Sequence, residues 1–162
     1  MTATQYVEYE NRGFWAYDVA LGVFIKHLID AAETSGQAES AWLATAISSW
    51  REVACFSDYG LTLGSGWSAA QMQAFVALAE DACASLAKRA SIPAGEIVGW
   101  PILDDLRIDT RGAVEVHTAP IVELGRAIIE LVSGELPEEP DGKFWFYGTP
   151  DGRQTLGRRS PD

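Results

Sequence analysis

The stretch FWAYDVALGVFIKHLIDAA, residues 14–32, decides the fold that the sequence predicts. At 100° per residue its apolar side chains share one broad face, while Lys26 and Asp30 lie on the opposite side. This pattern predicts one amphipathic helix over Phe14–Ala32, which the Thr-Ser-Gly at residues 34–36 ends. The predicted inner face consists of Phe14, Tyr17, Leu21, Phe24, Ile25, Leu28 and Ala32.

Three more amphipathic helices are predicted further along the chain. The first spans about Glu39–Cys55, where apolar residues recur at helical spacing. The second begins at Ser68, because Ser-Ala-Ala-Gln has the pattern of a capping box. The third is capped by Thr118, carries Pro120 in its first turn, where a missing N–H costs little, and ends at Gly134.

Strands are predicted at the two ends of the chain. Gln5–Tyr9 reads as a short strand, and KFWFYG, TPDG and RQTL read as strand, turn and strand over residues 143–156. Such a hairpin is marginal alone, so it must lie against the helices or pair with the N-terminal strand. Between them, residues 101–117 show no clear period and could form strand or helix.

These elements predict a mainly α fold of the α+β type. We expect a bundle of about four amphipathic helices with a small antiparallel β-hairpin or sheet near the C-terminus. Hydrophobic residues fill 48% of the 162 positions, which is enough for one packed core. Residues 1–156 are therefore expected to form a single globular domain, and residues 157–162 a flexible basic tail.

Charge is the strongest signal in the composition. Twenty-three acids oppose twelve Lys and Arg, which gives a net charge of −11. A body of this charge repels phosphate backbones, which argues against nucleic-acid binding, and it attracts a basic partner. The alternative is that the acidic residues only keep the protein soluble.

Location and cofactors are read from what the sequence lacks. The apolar run Ala16–Ala32 is too short and too polar for a membrane span, and Met1–Tyr9 does not resemble a signal peptide, so we expect a cytoplasmic protein without membrane contact. Cys55 and Cys83 have neither a CxxC partner nor a nearby His, and are expected to be buried reduced thiols. The two histidines have no second ligand at helical spacing, so no metal or other cofactor is expected.

The glycine-rich stretch GLTLGSGWSAAQ, Gly60–Gln71, is the nearest approach to a chemical motif. A helix N-terminus after glycines can bind phosphate or carboxylate through backbone N–H groups. The stretch lacks the Gly-Lys-Ser/Thr of a phosphate-binding loop, however, and Ser68 already caps the helix. We therefore expect a hinge between two helices rather than an anion site.

Three aspartates are the candidates for a polar site. Asp18 falls on the apolar face of the first helix, where an unpaired carboxylate is costly to bury. It could be a catalytic carboxyl with a raised pKa, or it could bond to a tryptophan N–H or an arginine. Asp104 and Asp105 could run acid/base chemistry, or they could only solvate the chain beside Arg107 and Arg111.

The C-terminal KFWFYGTPDGR offers a candidate binding surface. Along a strand Trp145 and Tyr147 point one way, and Phe144 and Phe146 point the other. If the Trp/Tyr pair is exposed beside the acidic loop Glu135–Asp141, it has the composition of an interaction hot spot. The alternative is that the strand is covered on both faces.

The first functional hypothesis is a small, acidic, bacterial-type module that neutralises or escorts a basic protein partner. Acidic immunity proteins that block toxins are similar in size, charge and helical character, a resemblance of general character without a shared motif. Electrostatic attraction would speed association and the hairpin aromatics would anchor the complex. The predicted partner-binding residues are Trp145, Tyr147, Glu138, Glu139 and Asp141.

Two other hypotheses remain open at this point. One is an enzyme or small-molecule-binding protein, with Asp18 or the Asp104/Asp105 pair as the polar element of an aromatic-lined pocket. The other is a regulatory or scaffold subunit of an oligomer, which would also explain six tryptophans. The oligomeric state is not predicted.

Overall fold

The structure is a computed structural model, and it describes residues 3–157 of the chain. In chain order the elements are β1 (Thr4–Tyr9), β2 (Arg12–Tyr17), α1 (Asp18–Thr34), α2 (Ala41–Cys55), β3 (Leu61–Leu63), α3 (Ala69–Leu86), β4 (Ser91–Pro93), α4 (Ala94–Ile97), β5 (Glu115–His117), α5 (Ala119–Ser133), β6 (Lys143–Tyr147) and β7 (Gln154–Gly157). The described chain is thus an α+β fold with five helices, a five-stranded mixed sheet and a separate two-stranded sheet.

The predicted helix bundle with a small hairpin is therefore wrong, and the error lies in residues 14–17. These residues belong to β2, and the helix begins only at Asp18. In β2 Phe14 and Ala16 are buried while Trp15 and Tyr17 are half-buried, which is the alternation of a strand. Since all four side chains are apolar or aromatic, the helical period could not be told from the strand period.

The large sheet has the strand order β3-β1-β2-β6-β7. β1 and β2 form an antiparallel hairpin, as do β6 and β7, while β3 pairs with β1 and β6 pairs with β2 in parallel. In the β2–β6 register Trp15 lies opposite Phe146, and Ala16 lies opposite Tyr147. The predicted C-terminal hairpin is confirmed, and it is stabilised by becoming part of this larger sheet.

The helices cover one face of the sheet. Val7, Phe14 and Ala16 of that face are fully buried in the core, and α1 packs against α2, α3 and α5. The helices approach closely at Gly125 of α5, where an added Cβ would lie 2.5 Å from Sγ of Cys83 and 2.7 Å from the Phe24 ring. Only glycine lets α5 lie this close to α1 and α3.

Several local predictions are confirmed. β1 lies where a strand was expected, and Ser68 caps α3 in a full capping box with Gln71. Gly134 ends α5 in the left-handed conformation, with φ of +74°. Thr118 differs from its predicted cap role, because its hydroxyl donates to the carbonyl oxygens of Arg89 and Ala90 instead.

The segment of unclear period, residues 101–117, is mostly irregular. Its one strand, β5, pairs with β4 in an antiparallel register. The two residues Leu103 and Leu106 form an isolated bridge. Among residues 3–157 no helix is long and apolar enough to cross a membrane. The predicted tail falls largely on residues 158–162, which lie outside the described part of the chain.

Candidate functional site

The predicted hairpin aromatics lie inside the protein. Trp145 is 9% exposed and Tyr147 is 3% exposed, and the Tyr147 ring meets Phe14 edge-on at 4.9 Å between centroids. Burial raises the pKa of the Tyr147 hydroxyl. Of the two alternatives for this strand, the exposed Trp/Tyr pair is therefore not found. Both side chains belong to the face of the sheet that the helices cover.

Hydrogen bonds from Arg12 and Trp145 hold the backbone of the acidic loop beside this hairpin. The Trp145 indole N–H donates to the Pro137 carbonyl oxygen at 2.8 Å, and Arg12 donates to the carbonyls of Leu136 and Pro137. The Arg12 guanidinium also lies 3.5 Å from a carboxylate oxygen of Glu139. Leu136 is buried, which anchors the start of the loop in the core. The loop is therefore a fixed structure.

Of the three predicted acids in this loop, two face solvent. Glu138 and Asp141 are exposed, whereas the Glu139 side chain is only 13% exposed and pairs with Arg12. Arg153 lies over the Trp145 ring, 4.1 Å from its centroid. Of the three predicted acids, a partner could thus contact Glu138 and Asp141, and the exposed Glu135 of the same loop adds a further carboxylate.

Asp18, the suspected carboxylate, is the first residue of α1 and is 9% exposed. Arg111 donates to it through Nε, at 3.0 Å from Oδ1 and 2.9 Å from Oδ2, and also through Nη2. The ion pair satisfies the buried charge, and the helix N-terminus adds to it. Of the alternatives for Asp18, the arginine partner is the one that the structure contains.

A tight turn sets the direction of Arg111. The amide of Ala113 donates to the Thr110 carbonyl, and the carboxylate of Asp109 accepts from the Arg111 amide at 2.8 Å. Arg111 itself has φ of +52°, a conformation that residues other than glycine rarely adopt. The turn therefore holds the guanidinium toward α1 at some conformational cost.

A cleft of about 230 Å³ opens beside this ion pair. Its walls come from β1, from the end of α2 and from the turn at residues 109–111, and they carry two further carboxylates, Asp58 and Asp109. Gln5 fixes the α2 end, because its side-chain amide donates to the carbonyls of Val53, Phe56 and Tyr59 at 2.9, 3.1 and 2.7 Å. The cleft is acidic, concave and formed by hydrogen-bonded backbone.

Two aromatic side chains stand in the segment that forms one wall of this cleft. Phe56 is 38% exposed and Tyr59 is 50% exposed, with 5.4 Å between their ring centroids. Within residues 3–157 no other aromatic side chain is exposed to this degree. The exposed aromatic pair thus exists, but at the end of α2 and not on the C-terminal strand. Its sequence signal was an aromatic pair in a polar turn directly after a helix.

The predicted Asp104/Asp105 pair and the nearby Asp109 do not form a single site. Asp109 lines the Asp18 cleft, whereas Asp104 lines a different groove of about 310 Å³ together with Lys26 and Arg51. Asp104 and Asp105 are both exposed. The structure therefore does not bring the Asp104/Asp105 pair together with Asp18.

The glycine-rich stretch contains strand β3 and leads into a capped helix. The Gln71 amide donates to Oγ of Ser68 at 3.1 Å, and the Ser68 amide donates to Oε1 of Gln71 at 2.8 Å. The cavity at this point, about 570 Å³, is also lined by Glu8 and Glu10, whose charge opposes an anion. These contacts agree with a connecting segment, as expected, although part of it is a strand.

No metal centre emerges within residues 3–157, where no group of His, Cys, Asp and Glu has the geometry to hold a metal ion. Cys83 is buried and Cys55 is half-buried, and burial raises the pKa of both thiols. Activated cysteine nucleophiles have a lowered pKa, and the shift at both thiols runs in the opposite direction.

Comparison with known proteins gives no match. No family model, no curated protein and no solved structure is similar to this chain. Its fold and surface define it as an α+β protein with an anchored acidic loop and a preformed acidic cleft.

Proposed function

We propose that this chain is a small acidic protein-binding module of the immunity or inhibitor type, which neutralises a basic protein partner such as a toxin. The proposed location is the cytoplasm. Neither nucleic acid nor a membrane is a proposed partner, because the surface that carries the proposal is acidic.

The observation that carries the proposal is the large number of carboxylates that form no ion pair within the described part of the protein. Twenty-two acids lie within residues 3–157, and five of them pair with Lys or Arg there, which leaves seventeen carboxylates without a Lys or Arg partner in the described part of the chain. Surface charge of one sign speeds the association of an oppositely charged protein and suppresses like-charged partners.

The acidic loop supports the proposal because it is rigid before any partner binds. Trp145 and Arg12 hold its backbone, so Glu138 and Asp141 are presented without a loop-ordering step. Ordering a loop on binding costs affinity, and a preformed loop avoids that cost. In this proposal Trp145 acts as an internal support for the acidic surface, with Tyr147 packed beside it in the core.

A small-molecule-binding protein or enzyme built on Asp18 is less well supported. The cleft at Asp18 measures about 230 Å³, below the roughly 300–1,000 Å³ of pockets for drug-sized ligands. The carboxylate is engaged by Arg111 rather than held free for acid/base chemistry. We therefore favour the protein partner.

Affinity capture from a lysate of the source cells tests the proposal. The bait is the full chain, the double variant Glu138→Lys/Asp141→Lys, or the matched control Glu39→Lys/Glu80→Lys, which makes the same charge change at two exposed acids elsewhere. We expect a basic protein on the native bait at low salt, more weakly on the control and least on the loop variant. Capture of no basic protein, or equal capture by loop variant and control, contradicts the proposal.

A further inference from the structure

The cleft beside Asp18 keeps a surplus of negative charge after its internal ion pair is counted. Asp18 and Arg111 neutralise each other across their bidentate contact. Asp58 and Asp109 remain, and neither takes part in an ion pair within residues 3–157. Asp58 lines the cleft and is exposed, so its carboxylate can meet a cation without prior rearrangement.

The exposed aromatic pair is a second, independent feature of this place. Phe56 lines the cleft, and the Tyr59 ring packs against the Phe56 ring. The two residues flank Ser57 and Asp58 in the sequence. Exposed aromatic rings beside carboxylates favour a cation with a flat, weakly hydrated group, since such a group can stack on a ring and bond to an oxygen together. Arginine fits this chemistry better than lysine does.

The wall that carries these groups is fixed before binding. Gln5 holds the backbone of Phe56 and Tyr59, and Gln5 is itself only 3% exposed. The volume of about 230 Å³ suits one side chain rather than a metabolite. Interface hot spots are commonly such preformed pockets that accept one anchoring residue.

We propose that the cleft lined by Phe56, Asp58 and Asp109, with Tyr59 packed against Phe56 beside it, is a docking site for an arginine side chain of the basic partner. The inference rests on the proposed function and adds to it the place of contact and the residue that is recognised. The guanidinium stacks on the exposed rings and donates to the Asp58 carboxylate, while Asp109 adds negative charge from the opposite wall.

The test is an NMR titration of the full chain with an oligoarginine peptide, with oligolysine and oligoglutamate as comparison peptides. We expect amide shifts at residues 56–59 and 109–111 with oligoarginine, smaller shifts with oligolysine and none with oligoglutamate. Asp58→Asn and Tyr59→Ser change exposed side chains and should leave the remaining spectrum folded, while each weakens oligoarginine binding about threefold or more. Asp151→Asn, at another exposed acid, is the matched control for charge.

The outcomes separate the two proposals. If oligoarginine shifts only the acidic loop at residues 135–141, the docking site is overturned and the proposed function stands. Equal effects of Asp58→Asn and Asp151→Asn, with no effect of Tyr59→Ser, also overturn the docking site. Absence of shifts at both places counts against both proposals.

Discussion

Asp18 and Arg111 lie 93 residues apart in the chain and form a bidentate ion pair at the N-terminus of α1. The contact joins the helix at the centre of the core to the irregular segment between α4 and β5. It also forms the floor of the acidic cleft. One pair of side chains therefore links the fold to the proposed docking site.

Removing the arginine should destabilise the protein. Arg111→Ala leaves the buried Asp18 carboxylate without its partner, and we expect the free energy of unfolding to fall by about 2 kcal/mol. The second change in Asp18→Asn/Arg111→Ala removes the charge and should restore part of this loss. Denaturant unfolding of the three proteins measures both effects. An Arg111→Ala variant as stable as the native protein would show that the pair does not hold this segment.

The contacts of Gly64 can be separated from its backbone conformation. Gly64 and Gly66 have φ of +75° and +74°, but an added Cβ at Gly64 would lie 2.7 Å from the Tyr9 ring and 2.8 Å from the Met72 methyl, whereas Gly66 has open space. Gly66→Ala should cost about 1 kcal/mol for the left-handed conformation alone. Gly64→Ala should cost about 1–3 kcal/mol more, because of overpacking. Equal losses in thermal unfolding would contradict this packing role.

Arg12 should control the rigidity of the acidic loop. Arg12→Ala removes the donors to the Leu136 and Pro137 carbonyls, so we expect hydrogen exchange in residues 136–142 to rise about tenfold. Lys143→Ala, an exposed cation next to the loop, is the control and should leave exchange unchanged. Unchanged exchange in Arg12→Ala would mean that Trp145 and Leu136 hold the loop without it.

His27 should make stability depend on pH. Burial lowers its pKa below 6.5, against the opposing effect of the Val23 carbonyl 2.9 Å from Nδ1 and of Asp30. The unfolded chain then binds the proton more readily, so the His27 contribution is present above about pH 6.5 and is lost as the pH falls toward the folded pKa.

Two measurements check this behaviour. The Cε1 proton of His27 should titrate with a pKa below 6.5 in the folded protein. Between about pH 7.5 and about pH 5.5 the native protein should lose stability relative to His27→Gln, which has no titrating ring. Parallel stability curves for the two proteins would contradict the assignment.

The fold could be predicted from the sequence where cap and turn residues mark the ends of helices and strands. The capping box at Ser68, the proline in the first turn of α5, Gly134 and the Pro-Asp-Gly turn mark elements that the structure contains. The fold class could not be predicted, because residues 14–17 include no strongly polar side chain that would distinguish a strand from the helix that follows. Three-residue β3 carries too short a pattern, and its parallel pairing with β1 is non-local.

The candidate site could likewise be predicted only where a local sequence pattern exists. The position of Asp18 on an apolar face singled it out as a carboxylate that needs a partner if it is buried, with an arginine among the open alternatives, and the structure contains that arginine. That the partner is Arg111, and that Phe56 and Tyr59 lie beside it, depends on tertiary packing that no local pattern contains. The sequence predicts an exposed aromatic pair at Trp145 and Tyr147, but the alternation of side chains along a strand does not determine which face of the strand the helices cover.

The salt dependence of binding tests most directly whether carboxylates on the surface of the protein recognise a basic protein partner. The measurement is the dissociation constant of the captured basic protein at about 0.1 M and about 1 M salt, where the Debye length falls from about 10 Å to about 3 Å. We predict at least about tenfold weaker binding at the higher salt, with a smaller salt effect in Glu138→Lys/Asp141→Lys. A dissociation constant that is the same at both salt concentrations would contradict the account.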